Sequence, residues 1–188
     1  KQAGSLVSPD RLRFDFSHYA PVSAEEIERI ERLANGQVLS NVATEAYETS
    51  KDKATADGAI AFFGDKYGDT VRVLRAGASF ELCGGTHVRA MGDIGTIKIV
   101  SEGSIGSNLR RIEAVTGENT VSVMQTNDAL LGSVATLVGA KVDDVVSGVE
   151  RKLDELRQAQ DEVKALRARL ASGRAVELAA NASGGVVV

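Results

Sequence analysis

Two residues four positions apart, Cys83 and His87, carry the most recognisable chemistry in this 188-residue chain. They sit in the run ELCGGTHV, which holds the chain's single cysteine and one of its two histidines around a Gly84-Gly85 step. A thiolate and an imidazole are good zinc donors in tetrahedral geometry, and two glycines allow a tight fold that aims both at one point. Two donors are half of such a site. The same pair also reads as a buried core thiol beside a hydrogen-bonded histidine, or as a thiol nucleophile with His87 as its base. Spacing alone leaves these readings open.

Thr86 lies between the two donors and is a candidate hydroxyl for a pocket or for local backbone satisfaction. Arg110 and Arg111 are adjacent, so a strand would send them to opposite faces. One would then be free for phosphate or ribose while the other pairs with a carboxylate such as Glu113. Asp93 and Glu102 are candidate acceptors behind a ligating histidine, and His18 stands apart from the Cys83 segment.

The elements that must position these groups follow from pattern. RLRFDFS around Leu12, Phe14 and Phe16 alternates as a half-buried strand, the first clear one. Ser23 stands three residues before Glu26, a capping box that predicts a helix over 24–40. A strand is expected over 42–49, an alanine-rich helix over 51–63, and turn chemistry in GDKYGDT at 64–70. From Val71 onward VRVL, ASFELCGGTHV, IGTIKIVSE and RRIEAVTG are short β-rich runs punctuated by glycine. The pattern predicts an α+β fold, a mixed or antiparallel sheet packed with helices.

After Gly117 the residues at 126–137 read as helix. Val146, Val149, Leu153, Leu156, Val163 and Leu170 then recur at alternating three and four spacings. Gln160 and Arg167 interrupt that seam, which runs for about three and a half heptads and would close on a partner helix or a second chain. Gly173, Asn181, Ser183, Gly184 and Gly185 are expected to break the helix into a linker.

Charge and length bound the rest. The formal charge of −4 offers no global positive field for nucleic acid, so any RNA contact needs a local basic patch. One cysteine rules out an internal disulfide, and the absence of a long apolar run points to a cytoplasmic protein with no membrane partner. The ends, without an initiating Met and stopping in Val186-Val187-Val188, read as cuts through a longer protein.

Five segments, GSLVSPDRLRFDFSH, FFGDKYGDTVRVL, ELCGGTHV, GDIGTIKIVSE and RRIEAVTG, occur in the order and spacing of the alanyl-tRNA synthetase editing domain. The resemblance covers about residues 2–118, and the helical region after it resembles the linker toward that family's C-terminal domain. It implies the second additional domain type of fold and three regions: an editing core at 1–118, a helical, partly coiled-coil linker at 119–172, and a further linker at 173–188. It also implies hydrolysis of Ser-tRNA(Ala) and Gly-tRNA(Ala), with tRNA(Ala) as partner and the 146–170 helix as a route to self-association. The alternative is a non-catalytic tRNA-docking and self-association fragment.

In that family, and in the similar AlaX-type editing proteins, zinc is held by an upstream H-x-x-x-H pair and a C-x-x-x-H pair. Cys83 and His87 match the second pair; the first has no counterpart here. The resemblance further implies Thr86 and Gln2 as groups that bind the serine hydroxyl or the attacking water. Gly84, Gly85, Arg110 and Arg111 are implied at the tRNA. ATP and Mg would serve only an aminoacylation domain outside this sequence.

Overall fold

The computed structural model describes residues 1–62 and 68–180. It divides into two compact units, Lys1–Met124 and Gln125–Val188.

The first unit is built on two separate antiparallel sheets, where the sequence pattern had left room for a mixed one. In the larger sheet β1 (Gln2–Val7), β2 (Leu12–Ser17), β7 (Leu109–Thr116) and β6 (Ile97–Gly106) lie in the order β1-β2-β7-β6. The smaller sheet is β3 (Glu45–Ser50), β4 (Thr70–Ala76) and β5 (Ser79–Leu82), in that order. Leu12, Phe14 and Phe16 share one face of β2, as the alternation requires, but β1 precedes it as the first strand. Polar β1 side chains such as Gln2 and Ser5 conceal the strand from a reading based on alternating apolar residues.

Helix α1 (Ala24–Ser40) begins at the expected capping box: Ser23 Oγ accepts from the Glu26 N–H at 3.2 Å and Glu26 accepts from the Ser23 N–H at 2.8 Å. It ends on Asn41, whose left-handed φ of 49° suits a C-terminal asparagine. Strand β3 starts three residues later than its pattern suggested. Helix α2 (Lys51–Ala56) is shorter than the expected 51–63; Gly58, at φ 91°, turns the chain out of it. Phe63 and the first four residues of the GDKYGDT turn fall outside the described residues.

The core of the smaller sheet is compact. Val71, Val73 and Leu82 close over Ala54 and Ala59, with Phe80 packed against them. Strand β4 is central and buried at consecutive positions, Val73 fully and Leu74 nearly so. That makes it a well-packed support for the loop that follows β5.

One close approach in the larger sheet requires glycine. Gly95 has φ 72°, and a Cβ there would stand 2.7 Å from the Gly117 Cα. The chain entering β6 therefore passes directly over the start of α3 (Gly117–Val138). Buried Thr120 ties the crossing by donating to the carbonyls of Thr96 at 2.7 Å and Val115 at 3.1 Å.

In the second unit α4 (Val145–Ala180) is one continuous 36-residue helix that passes through Gly173. A single helical glycine costs about 1 kcal/mol against alanine, too little to stop a helix whose neighbours are good formers such as Ala, Leu and Arg. Residues 181–188, where the other expected breakers lie, are outside the described residues. Among the described residues no helix is long and apolar enough to cross a membrane.

Candidate functional site

Cys83 to Arg89 form an irregular loop between β5 and a short 3-10 turn at Met91–Ile94. Its shape is set from outside. The Cys83 N–H donates to the Arg72 carbonyl on β4 at 3.1 Å, and Arg72 Nη1 donates back to the carbonyls of Cys83 at 3.1 Å and Gly85 at 2.6 Å. At the other end Thr44 donates its N–H to the Arg89 carbonyl at 2.9 Å and its hydroxyl to the Val88 carbonyl.

Within the loop, a Cβ placed on Gly85 would lie 3.7 Å from Cys83 Sγ and 3.9 Å from His87 Nε2. Thiol and imidazole thus converge on one small space that a side chain would invade. Neither Gly84 nor Gly85 takes a positive φ, so the loop does not depend on the left-handed conformations that glycine favours. Gly85 supplies room instead, and a Cβ on Gly84 would meet open space.

His87 titrates below its ordinary value: partial desolvation of the ring is the larger cause, the positive charge of Arg72 the second, and Glu81 opposes both. A neutral imidazole is the form that ligates a metal. Cys83 is half-buried and unpaired by any disulfide.

Thr86 and His87 open on a cleft of about 440 Å³ that is also lined by the β1–β2 turn at residues 7–12. Asn119 holds that turn by donating to the carbonyls of Pro9 at 3.1 Å and Asp10 at 3.3 Å. Ser8 donates to Asp10, which keeps the Asp10 carboxyl below its ordinary pKa. Asp93 lines the same cleft and pairs with Arg89 at 3.6 Å.

The other sequence candidates lie elsewhere. Gln2 is at the far end of β1 from Val7, about 16 Å along an extended strand, and its amide donates to Ser5. Arg110 and Arg111 do face opposite sides of β7, but both are engaged. Arg110 makes a two-pronged pair with Glu102 at 2.6 Å for each bond, and Arg111 makes one with Asp15 at 2.8 and 2.9 Å. Glu113, the expected partner, instead accepts from Ser101 at 3.0 Å. The strand register explains the exchange, since Asp15 is directly opposite Arg111 across β2 and β7.

Glu102 is committed to Arg110, which holds its carboxyl below the usual range, and so is no free acceptor for a ligating histidine. The His18 ring lies tilted against those of Phe16 and Tyr19, at 6.2 and 5.1 Å between centroids. Among the described residues no three His, Cys, Asp or Glu gather closely enough to hold a metal. Cys83 and His87 therefore stand as a pair, with no third such group beside them among the described residues.

Residues 71–113 match the family described as threonyl and alanyl tRNA synthetase second additional domain. That match spans under a quarter of the chain. The matched segment runs from β4 through β5, the Cys83–His87 loop and β6 into β7. Over 183 residues the chain is 47% identical to an alanine–tRNA ligase of Bordetella bronchiseptica, and over 182 residues 47% identical to one of Aromatoleum aromaticum. A Delftia acidovorans alanine–tRNA ligase is 46% identical over 182 residues. In each case 97% of this chain is covered but only 21% of the relative, so the chain spans about a fifth of the relatives it matches.

Arg72, Thr44 and Asn119 escaped the sequence reading. Arg72 carried a signal, because alternation with Val71 and Val73 turns its side chain away from the apolar face of β4. The other two act through backbone carbonyls distant in sequence, which leave no local pattern.

Proposed function

We propose that this chain is the editing portion of an alanine–tRNA ligase, hydrolysing the ester that joins serine or glycine to the 3′ end of tRNA(Ala). The observation that carries the reading is the convergence of Cys83 Sγ and His87 Nε2 around Gly85, with Thr86 and His87 opening on the adjoining cleft. A separate hydrolytic site has a physical reason. One methyl is worth only about 1–3 kcal/mol of discrimination, and an apolar pocket rejects an added hydroxyl poorly, so a site that selects alanine admits glycine and serine.

The donor set suits zinc: a soft thiolate and a neutral imidazole share one small space kept free by a glycine. Cys83 and His87 would hold the ion together with an H-x-x-x-H pair supplied from outside these 188 residues. When bound, zinc offers a Lewis acid that orients an ester, an amine or a water. Thr86, on the cleft wall, would hydrogen-bond a serine hydroxyl or the water. Gln2, whose amide donates to Ser5 on β1, would be the second such group. Activation of alanine with ATP and Mg belongs to parts of the parent enzyme beyond this fifth, with tRNA(Ala) as the shared partner and the cytoplasm as the compartment.

The test is release of labelled serine from Ser-tRNA(Ala) by the zinc-replete full-length protein, compared with Cys83→Ala and with Ala-tRNA(Ala) as substrate. Faster loss of serine than alanine, reduced in the variant, supports the reading. Release at the spontaneous rate with one zinc bound overturns it.

A second reading is favoured by one observation. Along α4 Val146, Leu153, Leu156, Val163 and Leu170 are all exposed, Val146 and Leu170 each by 68%. An apolar seam of that length is suited to pairing with a second copy, in which case the chain also serves as a self-association segment.

A further inference from the structure

We propose that Arg72 is the positioning residue that holds the Cys83–His87 loop in its metal-binding shape, an inference that rests on reading that loop as half of a zinc site.

The residue touches the loop three times. Its carbonyl accepts the Cys83 N–H, and the two hydrogens of its Nη1 reach the carbonyls of Cys83 and Gly85. These contacts fix the backbone on both sides of Gly84 and so set the direction in which Cys83 leaves the sheet.

The support behind Arg72 is rigid. It lies on β4 between Val71 and Val73, 4% and 0% exposed, and is paired across the sheet with Glu48 on β3. At the far end of the loop Thr44 holds the carbonyls of Val88 and Arg89. Between Gly85 and Val88 lie Thr86 and His87, which line the cleft together with Val88. The arrangement fixes the ends of a short span and leaves its working side chains free to meet a ligand.

An arginine fits the task because two carbonyl oxygens turned toward one point repel each other and need a charged donor between them. Guanidinium stays protonated at every physiological pH and presents its hydrogens in a fixed plane. Lysine would keep the charge without the plane, and methionine would keep much of the stem without any donor.

The experiment compares Arg72→Met and Arg72→Lys with the unaltered protein in two measurements that need no tRNA. The first is the reaction rate of Cys83 with a disulfide reagent in metal-free protein, after cooperative unfolding has been verified for each variant. The second is zinc affinity of the full-length protein by competition with a chromophoric chelator. Arg72→Met is expected to change the thiol rate several-fold and to weaken zinc by about 10–100-fold, the usual cost of losing a group that orients a ligand. Arg72→Lys should recover part of both.

A folded Arg72→Met protein with unaltered thiol rate and unaltered zinc affinity overturns the proposal. If Arg72→Met does not fold, a folded Arg72→Lys protein with both values unaltered overturns it equally. Loss of zinc affinity in a protein that never deacylates Ser-tRNA(Ala) would refute the editing reading and leave the role of Arg72 standing. A wild-type protein that binds no zinc would refute the metal reading, and the thiol rate would then decide alone whether Arg72 sets the loop.

Discussion

The side-chain amide of Asn35 pairs with the backbone of Ile97 as a neighbouring strand would, donating to its carbonyl at 2.9 Å and accepting from its N–H at 2.8 Å. One turn earlier on α1, Glu31 accepts from the Ile99 N–H at 2.6 Å and from Lys98 Nζ at 2.9 Å. Strand β6 is an edge of its sheet, and two helix side chains cover the groups that would otherwise template another chain. Replacing Asn35 by Leu should cost about 1–3 kcal/mol, because it leaves both backbone groups of Ile97 without a partner. Urea denaturation would show this as a lower midpoint with an unaltered slope. An unaltered midpoint would mean that water replaces the amide without cost.

Why some of this was legible and some was not follows from where each signal is stored. The start of α1 was readable because the capping box keeps both partners within three residues, Ser23 and Glu26. The closeness of Cys83 and His87 was readable because both lie on one short loop. Its clamp was not, since Arg72 meets Gly85 thirteen residues away, and the partners of Arg111 were misjudged because register, not adjacency, chose Asp15 ninety-six residues away. Gly173 misled for a different reason: in a long helix the stabilisation of many flanking residues outweighs one local preference.

Asp15 gives the acid limb of stability a specific source. The two-pronged bond from Arg111 is the main cause holding its carboxyl below the ordinary range, and burial opposes it. A carboxyl with a lower pKa folded than unfolded binds fewer protons in the native state, so stability rises with pH across that window. The contribution is therefore complete above the ordinary carboxylate value of about 4 and is lost as pH falls through the folded pKa. Glu102, lowered chiefly by its bond from Arg110, acts in the same direction. In Asp15→Asn the fall in stability between about pH 5 and pH 2.5 should be shallower than in the unaltered protein. Equal slopes would show that other carboxylates govern the limb.

Gly95 is the residue on which the crossing of β6 over α3 depends. An alanine there would need a φ of 72° and would put its methyl 2.7 Å from the Gly117 Cα, backbone that cannot swing aside. Strain of about 1–3 kcal/mol from the dihedral adds to a similar overpacking cost. Gly95→Ala is expected to lower stability by roughly 2–6 kcal/mol, read by thermal or urea unfolding. Gly103→Ala, where a Cβ meets nothing within 4 Å, serves as the control in the same sheet.

Gly85 separates the metal reading from the buried-thiol reading. An added methyl would sit at ordinary contact distance from Cys83 Sγ and His87 Nε2, so Gly85→Ala should fold with little loss of stability. The same methyl occupies the space an ion would share with both donors, and zinc affinity should fall by at least about tenfold, the scale of disturbing groups around a bound metal. Gly84→Ala, facing open space, should change neither. Equal zinc content in all three proteins, measured on the full-length form, would leave Cys83 a half-buried structural thiol.

The seam of α4 makes a prediction about orientation as well as association. Between residues 150 and 162 the helix carries Glu150, Asp154, Glu155, Asp161 and Glu162 against Arg151, Lys152 and Arg157. From 163 to 176 it carries Lys164, Arg167, Arg169 and Arg174 with no carboxylate. Parallel pairing would set Arg167 and Arg174 against their own copies, whereas antiparallel pairing lays the acidic half along the basic half. Full-length protein with both Leu153 and Leu156 changed to Lys should lose the association that sedimentation equilibrium detects, while the far-UV helix signal stays. A cysteine added at 154 should cross-link to one added at 167 in a mixed sample far more readily than either links to itself. Preferential self-linking at each position would establish parallel pairing, and unaltered association in the Leu153, Leu156 variant would remove the seam from the interface.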